Sequence, residues 1–275
     1  MAGRGGWKRV RLLTRPRTAW VVPVTLAALV VLAPSSLHAQ RGAGPAAPPP
    51  SPRAAAPIDL TGYWESFVTE DWRWRMVTPP KGSYQSVTLN AQARKIADAW
   101  DPASDEAAGN ECRSYGAAAV MRVPGRVRIT WDNDITLKIE TEAGMQTRLL
   151  RFGASEPPAD EPTWQGYTVA TWQLPQILPN AGGGRAGRGS VGTTLKTVTT
   201  RMRAGYLRKN GVPYSAGAVV TEYYNVFSEP NGDTWLIVMN TVDDPQFLTQ
   251  PFVTSSHFKK LADGSAWKPV ACTAR

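Results

Sequence analysis

Beyond Arg126 the chain alternates. Val127, Ile129 and Trp131 are separated by polar residues, and Ile135, Leu137 and Ile139 repeat the pattern after Asp132-Asn133-Asp134. A period of two places one set of side chains on one face of an extended strand. The polar break between the two runs has the composition of a hairpin turn. Glu142-Ala143-Gly144 turns the chain again into Met145–Phe152. Further strands are predicted over Trp164–Trp172, Thr194–Arg203, Gly217–Phe227, Thr234–Val242 and Phe252–Lys260, with a last short one at Lys268–Cys272. Pro230-Asn231-Gly232-Asp233 supplies a turn between two of them. Upstream, Trp72, Trp74 and Met76 alternate with Arg73 and Arg75, and the same rule reads this stretch as a strand, broken by Pro79-Pro80-Lys81-Gly82.

One segment departs from the period of two. Over Leu89–Trp100 the alanines at 91, 93, 97 and 99 favour a helix, and Leu89, Ala93, Ile96 and Trp100 form a stripe at spacings of three and four. Asp101-Pro102 ends it, because proline disfavours helix at the residue before it; irregular chain follows to Gly116. About ten strands in sequential order with one short helix near 89–100 predict a mainly β domain. Its antiparallel sheet closes or curls strongly into a barrel, which also removes exposed edges.

The start of the chain has another character. Arg4, Lys8, Arg9, Arg11, Arg15 and Arg17 precede an uncharged apolar run, Ala19–Pro34, and Leu37-His38-Ala39 follows with a small residue, Ala39, at the expected cut site. This is the layout of a signal peptide over residues 1–39. If uncleaved, the run would act as an anchor and still place the rest outside, in a periplasmic or extracellular compartment. Residues 40–57 are rich in proline and alanine and read as a disordered, extended linker, leaving 58–275 as a single domain. The formal charge of +9 belongs to the leader and linker: from Asp59 onward 23 basic residues face 22 acidic ones. No basic stripe marks the body, so nucleic acid is not an expected partner. The glycine-rich stretch at 177–192 lacks the Lys-Ser/Thr of a phosphate loop and reads as a flexible hairpin tip. No cofactor is expected. Cys112 and Cys272 are the only cysteines, and outside the cytoplasm they predict one disulfide. His257 is the single histidine beyond the leader, which argues against a multi-histidine metal site.

Candidate chemistry is sparse. Trp72 and Trp74, on one face of a strand, are either core rings beneath exposed arginines or an aromatic wall lining a barrel cavity, with Glu70 or an arginine as polar anchor. Glu222 stands in an apolar strand; it faces solvent or, facing inward, takes Arg148 or Arg203 as partner, because a buried lone carboxylate is costly. Trp72, Trp74, Glu70, Arg148 and Glu222 are therefore the expected ligand-binding set, and no catalytic residue is assigned. Asp132-Asn133-Asp134 is too short for a calcium loop and suits a turn. Asp243-Asp244-Pro245 reads as a loop start. In Ser255-Ser256-His257, neighbouring residues on a strand diverge, which argues against nucleophile and base meeting there.

Several runs carry a resemblance. Thr69-Glu70-Asp71-Trp72-Arg73-Trp74-Arg75-Met76, Trp164-Gln165-Gly166-Tyr167 with Trp172, Val242-Asp243-Asp244-Pro245 with Thr249-Gln250-Pro251-Phe252, and Cys272 resemble a family of uncharacterised bacterial secreted β-rich proteins, which implies export and no particular activity. Gly62-Tyr63-Trp64 is similar to the opening Gly-x-Trp of lipocalin-type barrels, which implies a ligand-holding barrel. The expectation is an exported, non-catalytic, lipocalin-like barrel holding a small apolar or amphipathic molecule, with membrane contact only through a retained leader. A hydrolase or isomerase using Glu222 and Asp243, and a structural envelope protein, are the alternatives; a filled barrel without a cavity favours the last.

Overall fold

A computed structural model describes residues 48–153, 157, 161–174 and 193–275. The leader expected at 1–39 and the glycine-rich segment at 177–192 lie outside the described residues. The strands are β1 (Gly62–Ser66), β2 (Arg126–Asn133), β3 (Thr136–Thr141), β4 (Thr147–Phe152), β5 (Tyr167–Gln173), β6 (Thr194–Thr200), β7 (Gly205–Arg208), β8 (Val212–Tyr214), β9 (Val219–Ser228), β10 (Thr234–Asp243) and β11 (Phe252–Lys260). Nine close into a barrel in the order β1-β11-β10-β9-β6-β5-β4-β3-β2, and β7-β8 form a separate hairpin. The closed, mainly β architecture is the one the alternation predicts. One junction differs: β4 and β5 run parallel, and every other barrel pair is antiparallel. Parallel neighbours need a long crossover, and residues 153–166 provide it, with Thr163 bridging to Met202 on the way.

The alternate residues point inward and fill the lumen. Trp64, Ile129, Ile139, Leu150, Leu195, Tyr224, Leu236 and Phe258 form one fully buried cluster. Beside it runs a polar row: Thr197, Glu222, Asn240 and Thr254 are direct cross-strand neighbours on β6, β9, β10 and β11. Arg148 enters from β4 and grips Glu222 with both ends of its guanidinium, Nη1 to Oε1 at 2.8 Å and Nη2 to Oε2 at 2.5 Å. Both side chains are 0 % exposed. Thr197 also donates to Glu222 at 3.1 Å. Burial opposes the Arg148 charge, and the Glu222 carboxylate together with Tyr224 outweighs it, holding the guanidinium above its ordinary value. The inward orientation of Glu222 and its pairing with Arg148 follow the second of the two expectations. Arg203 instead stacks on Trp164, 4.1 Å from the ring centroid.

A second apolar cluster covers one end of the barrel, where Val220, Val242 and Phe252 meet the β7-β8 hairpin and the inner face of one of three short helices, through Ala93 and Ala97. The helices are α1 (Trp72–Arg75), α2 (Ala91–Ala99) and α3 (Pro102–Ala107). Asn90 caps α2 by accepting from the Ala93 N–H at 2.9 Å. The buried stripe of α2 is Leu89, Ala93, Ala97 and Trp100; Ile96, expected in it, is half exposed. The small alanines let α2 approach β8 closely. Asp101-Pro102 ends α2 as expected and also starts α3, since Asp101 accepts from the Ala103 N–H and Pro102 occupies the first helical position. Gly211, at φ +81°, turns β7 into β8 where a Cβ would lie 2.2 Å from the Trp100 ring, so only glycine fits.

Three expectations are corrected. Trp72–Arg75 is a helical turn and not a strand: Asp71, Trp74, Arg75 and Thr78 face the protein at spacings of three and one-turn four, while Trp72, Arg73 and Met76 face out. Lys268–Cys272 is not a strand; it is held by a single bridge, Ala143 to Val270, and by the Lys268 N–H donating to Glu142. The second half of the expected linker is packed on the barrel, the Trp172 indole donating to the Pro52 carbonyl at 2.9 Å and the Arg53 N–H to the Asp134 carbonyl at 3.1 Å. Proline brings no N–H that needs a partner and little chain entropy to lose, so a short proline-rich segment can dock on a few contacts.

The disulfide forms as expected, joining Cys112 to Cys272 across 160 residues. Reducing it, or replacing both cysteines by alanine, is expected to lower unfolding free energy by up to ~5 kcal/mol in urea titrations. For the lumen pair, Glu222→Leu should cost about 3–5 kcal/mol by leaving Arg148 buried alone, and the double variant Arg148→Met/Glu222→Leu should recover most of that loss. A single variant as stable as wild type would refute the pairing as a stability determinant.

Candidate functional site

The lumen has its own side chains for contents, so the search for a site moves to the cap. Three arginines converge there, from three separate pieces of chain: Arg75 on α1, Arg122 in a 3-10 turn (Val120–Arg122) and Arg208 at the end of β7. They are 8 %, 5 % and 4 % exposed. Guanidinium groups this buried ordinarily have every N–H satisfied and a carboxylate alongside. Here the arrangement is incomplete.

Arg75 donates through Nε to the Arg122 carbonyl at 2.8 Å and through Nη1 to Glu70. Arg122 donates through Nη2 to Asp71 at 3.0 Å. Arg208 donates through Nη1 to the Gln85 carbonyl at 2.7 Å and has no carboxylate partner among the described residues. Arg75 Nη2, Arg122 Nη1, and both Nε and Nη2 of Arg208 are buried without hydrogen-bond partners. Two acids thus serve three cations. Burial pushes the Arg208 guanidinium down to about 10; the neighbouring Arg122 charge adds to this, and Asp71 acts in the opposite sense. Burial likewise lowers Arg75 and Arg122 from the ordinary arginine value.

Aromatic faces hold the cations in place. The Arg208 guanidinium lies 5.1 Å from the Trp74 ring centroid and 5.9 Å from that of Phe252, and Arg122 lies 5.1 Å from Phe252. Trp74, Arg75, Arg122 and Arg208 line one pocket, with Thr78 and Ser114 as hydroxyl neighbours and Val123, Pro124 and Leu207 as its apolar side. Its volume is ≈ 40 Å³. That is a few water molecules' worth of space, enough for a phosphate or carboxylate head and too little for a whole apolar ligand.

The expected ligand-binding set divides. Trp74 and Glu70 belong to this pocket, Glu70 through Arg75. Trp72 is 57 % exposed on the outer side of α1, so the paired indoles do not form a lumen wall. Arg148 and Glu222 are shut inside the barrel and paired with each other. Arg122 and Arg208 were not singled out by sequence. Arg122 had a legible signal, an arginine inside the apolar run Ala117–Val123; Arg208, in a polar turn sequence, had none.

The remaining candidates take structural roles. Ser255 and His257 are two residues apart, so both face outward on β11, and the Ser255 hydroxyl meets His257 Nε2 at 3.1 Å while Ser256 points inward. The expectation that these groups diverge holds for Ser256 and fails for Ser255. His257 Nδ1 lies 3.4 Å from Glu70 Oε2, and Thr69 Oγ1 lies 3.2 Å from the same nitrogen. This has the order of a nucleophile relay, but Ser255 stands in mid-strand without the sharp turn that presents a nucleophile. Glu70 is shared with Arg75, so the chain of contacts ties the outer wall of β11 to the arginine pocket. Asp244 is buried and accepts from the Ser215 N–H at 2.6 Å and hydroxyl at 2.7 Å, fixing the loop as its sequence suggested. Asn133 accepts from the Ile135 N–H at 2.9 Å, as turn chemistry requires. No known protein-family model matches this chain, and no curated protein is significantly similar to it.

Proposed function

We propose that this chain is an exported, non-catalytic β-barrel domain that holds the anionic head of a small amphipathic molecule in the arginine pocket at the end of the barrel. The observation that carries this reading is Arg208, a buried guanidinium with two unpartnered nitrogens, Nε and Nη2, and no carboxylate in ion-pair contact among the described residues. A buried unpaired charge is among the more costly features a fold can carry. An oxyanion supplies both the missing charge and planar acceptors matched to guanidinium forks. The apolar side made by Val123, Pro124 and Leu207 accounts for an amphipathic ligand in place of a purely apolar one. Export is supported by the leader pattern and the disulfide. Among the described residues, no helix is long and apolar enough to cross a membrane.

The alternatives draw less support. Glu222 is neutralised by Arg148, and Asp243 is exposed while its neighbour Asp244 is occupied by Ser215, so the carboxylates named for hydrolysis or isomerisation share no cleft. The packed lumen is what a purely structural envelope protein would have; the incomplete arginine cluster is what such a protein has no use for.

In the absence of added anions, Arg208→Met should raise the melting temperature by a few degrees, because it removes a buried charge that lacks a partner. Inorganic phosphate at a hundred times its dissociation constant should raise the wild-type melting temperature by about 5 °C and leave Arg208→Met unmoved. Equal responses of the two proteins in differential scanning calorimetry would overturn the reading.

A further inference from the structure

The turn that carries Trp74 and Arg75 into the pocket has a second face. Trp72, Met76 and Val77 are 57 %, 60 % and 69 % exposed, three large apolar side chains within six residues of chain. They share this outer face with Arg73, whose guanidinium lies 5.4 Å from the Trp72 ring centroid. Folding gains nothing from leaving such residues in water together, and clustered exposed apolar side chains mark interaction surfaces. Asp71, at φ +51°, sets the direction in which the turn leaves the barrel, and its carboxylate is fixed by Arg122. The outer face is therefore presented by a rigid device, and its inner face belongs to the arginine pocket.

We propose that this turn docks the domain on a lipid surface bearing anionic headgroups: a lipid phosphate enters the pocket of Arg75, Arg122 and Arg208, while Trp72, Met76 and Val77 sink into the boundary between headgroups and acyl chains. This rests on the anion reading of the pocket. The chemistry on the two faces is complementary to the two layers of a bilayer surface. Indole is suited to the interface because its ring is apolar and its N–H is wet. Arg73 buries its stem against the Trp72 ring and keeps its charge at headgroup depth. The pocket has room for a head and not for a tail, so a bound lipid keeps its tail outside. Charge attraction and apolar insertion then act together, as they do for other surface-bound segments.

The test uses the protein recovered after export from its host, vesicles of phosphatidylcholine with one quarter phosphatidylglycerol, vesicles of phosphatidylcholine alone, and inorganic phosphate. Co-sedimentation should be strong with the anionic vesicles and weak with the neutral ones. Trp72→Ser/Met76→Ser/Val77→Ser should weaken vesicle binding about tenfold and keep the full thermal response to phosphate. Arg208→Met should lose both. Equal sedimentation of the triple variant and wild type overturns the docking proposal, as does wild type that responds to phosphate but ignores the anionic vesicles; in both cases the pocket reading stands. Loss of the phosphate response in wild type defeats the pocket reading itself and the docking proposal with it. Capture of phosphate together with a protein partner, in place of vesicles, also overturns docking on lipid.

Discussion

Nine strands closed on themselves commit every second side chain to an interior with no exit. Whatever the alternation puts there must be accommodated by its neighbours, because water cannot follow. Most of the interior solves this with apolar bulk around Trp64, Ile139, Leu150 and Phe258. The polar row is the exception, and at its charged member, Glu222, the two-pronged grip of Arg148 makes the exception tolerable. A carboxylate and a guanidinium in this geometry satisfy each other's charge through two hydrogen bonds, and Thr197 fills in beside them. The pair joins β4 to β9, between which only β6 and β5 stand in the ring. Filling the lumen in this way also decides where function has to be sought.

With the interior occupied, the proposed binding site lies at the cap. The same electrostatic rule is met inside the lumen and left unmet at the cap. Arg148 is matched by Glu222, whereas Arg75, Arg122 and Arg208 share only Glu70 and Asp71. The contrast within one molecule is informative: the lumen gives its buried arginine a carboxylate of its own, so three arginines sharing two acids are a feature of the site. The cap is held by connections far apart in sequence, including the disulfide and the Glu142–Gly144 turn, where Gly144 at φ +79° brings the backbone so near the Tyr115 ring that a Cβ would lie 2.3 Å from it. Rigid support of this kind keeps three like charges together despite their repulsion.

The barrel was legible in the sequence because burial on one face of a strand leaves a period of two, and β2, β3, β9, β10 and β11 all show it. The same rule misread Trp72–Met76. Two indoles two apart imitate a strand, but one turn of helix buried at 71, 74, 75 and 78 has the same aromatic spacing, and four residues are too few for periodicity to decide. The parallel junction was hidden because direction leaves no mark on alternation. Asp101-Pro102 was read as a stop when it is both stop and start, since N-cap and helix terminator use the same residue types. The site was half legible. Trp74 and Glu70 were reached through a lumen wall that does not form, whereas the Arg148–Glu222 partnership, which lies outside the site, came from asking what a buried charge needs. Arg208 could not be found that way, because its surroundings are Trp74, the Gln85 carbonyl and Phe252, contacts distant in sequence that no local pattern announces.

The central claim, that binding occurs at an incomplete arginine cluster outside a filled lumen, is open to one direct measurement. A crystal of the exported protein grown with selenate and recorded at the selenium edge locates the anion without reference to any assay. The account predicts an anomalous peak within hydrogen-bonding distance of Arg208 and Arg122. A peak inside the barrel beside an Arg148 parted from Glu222, or none near the three arginines, would contradict it.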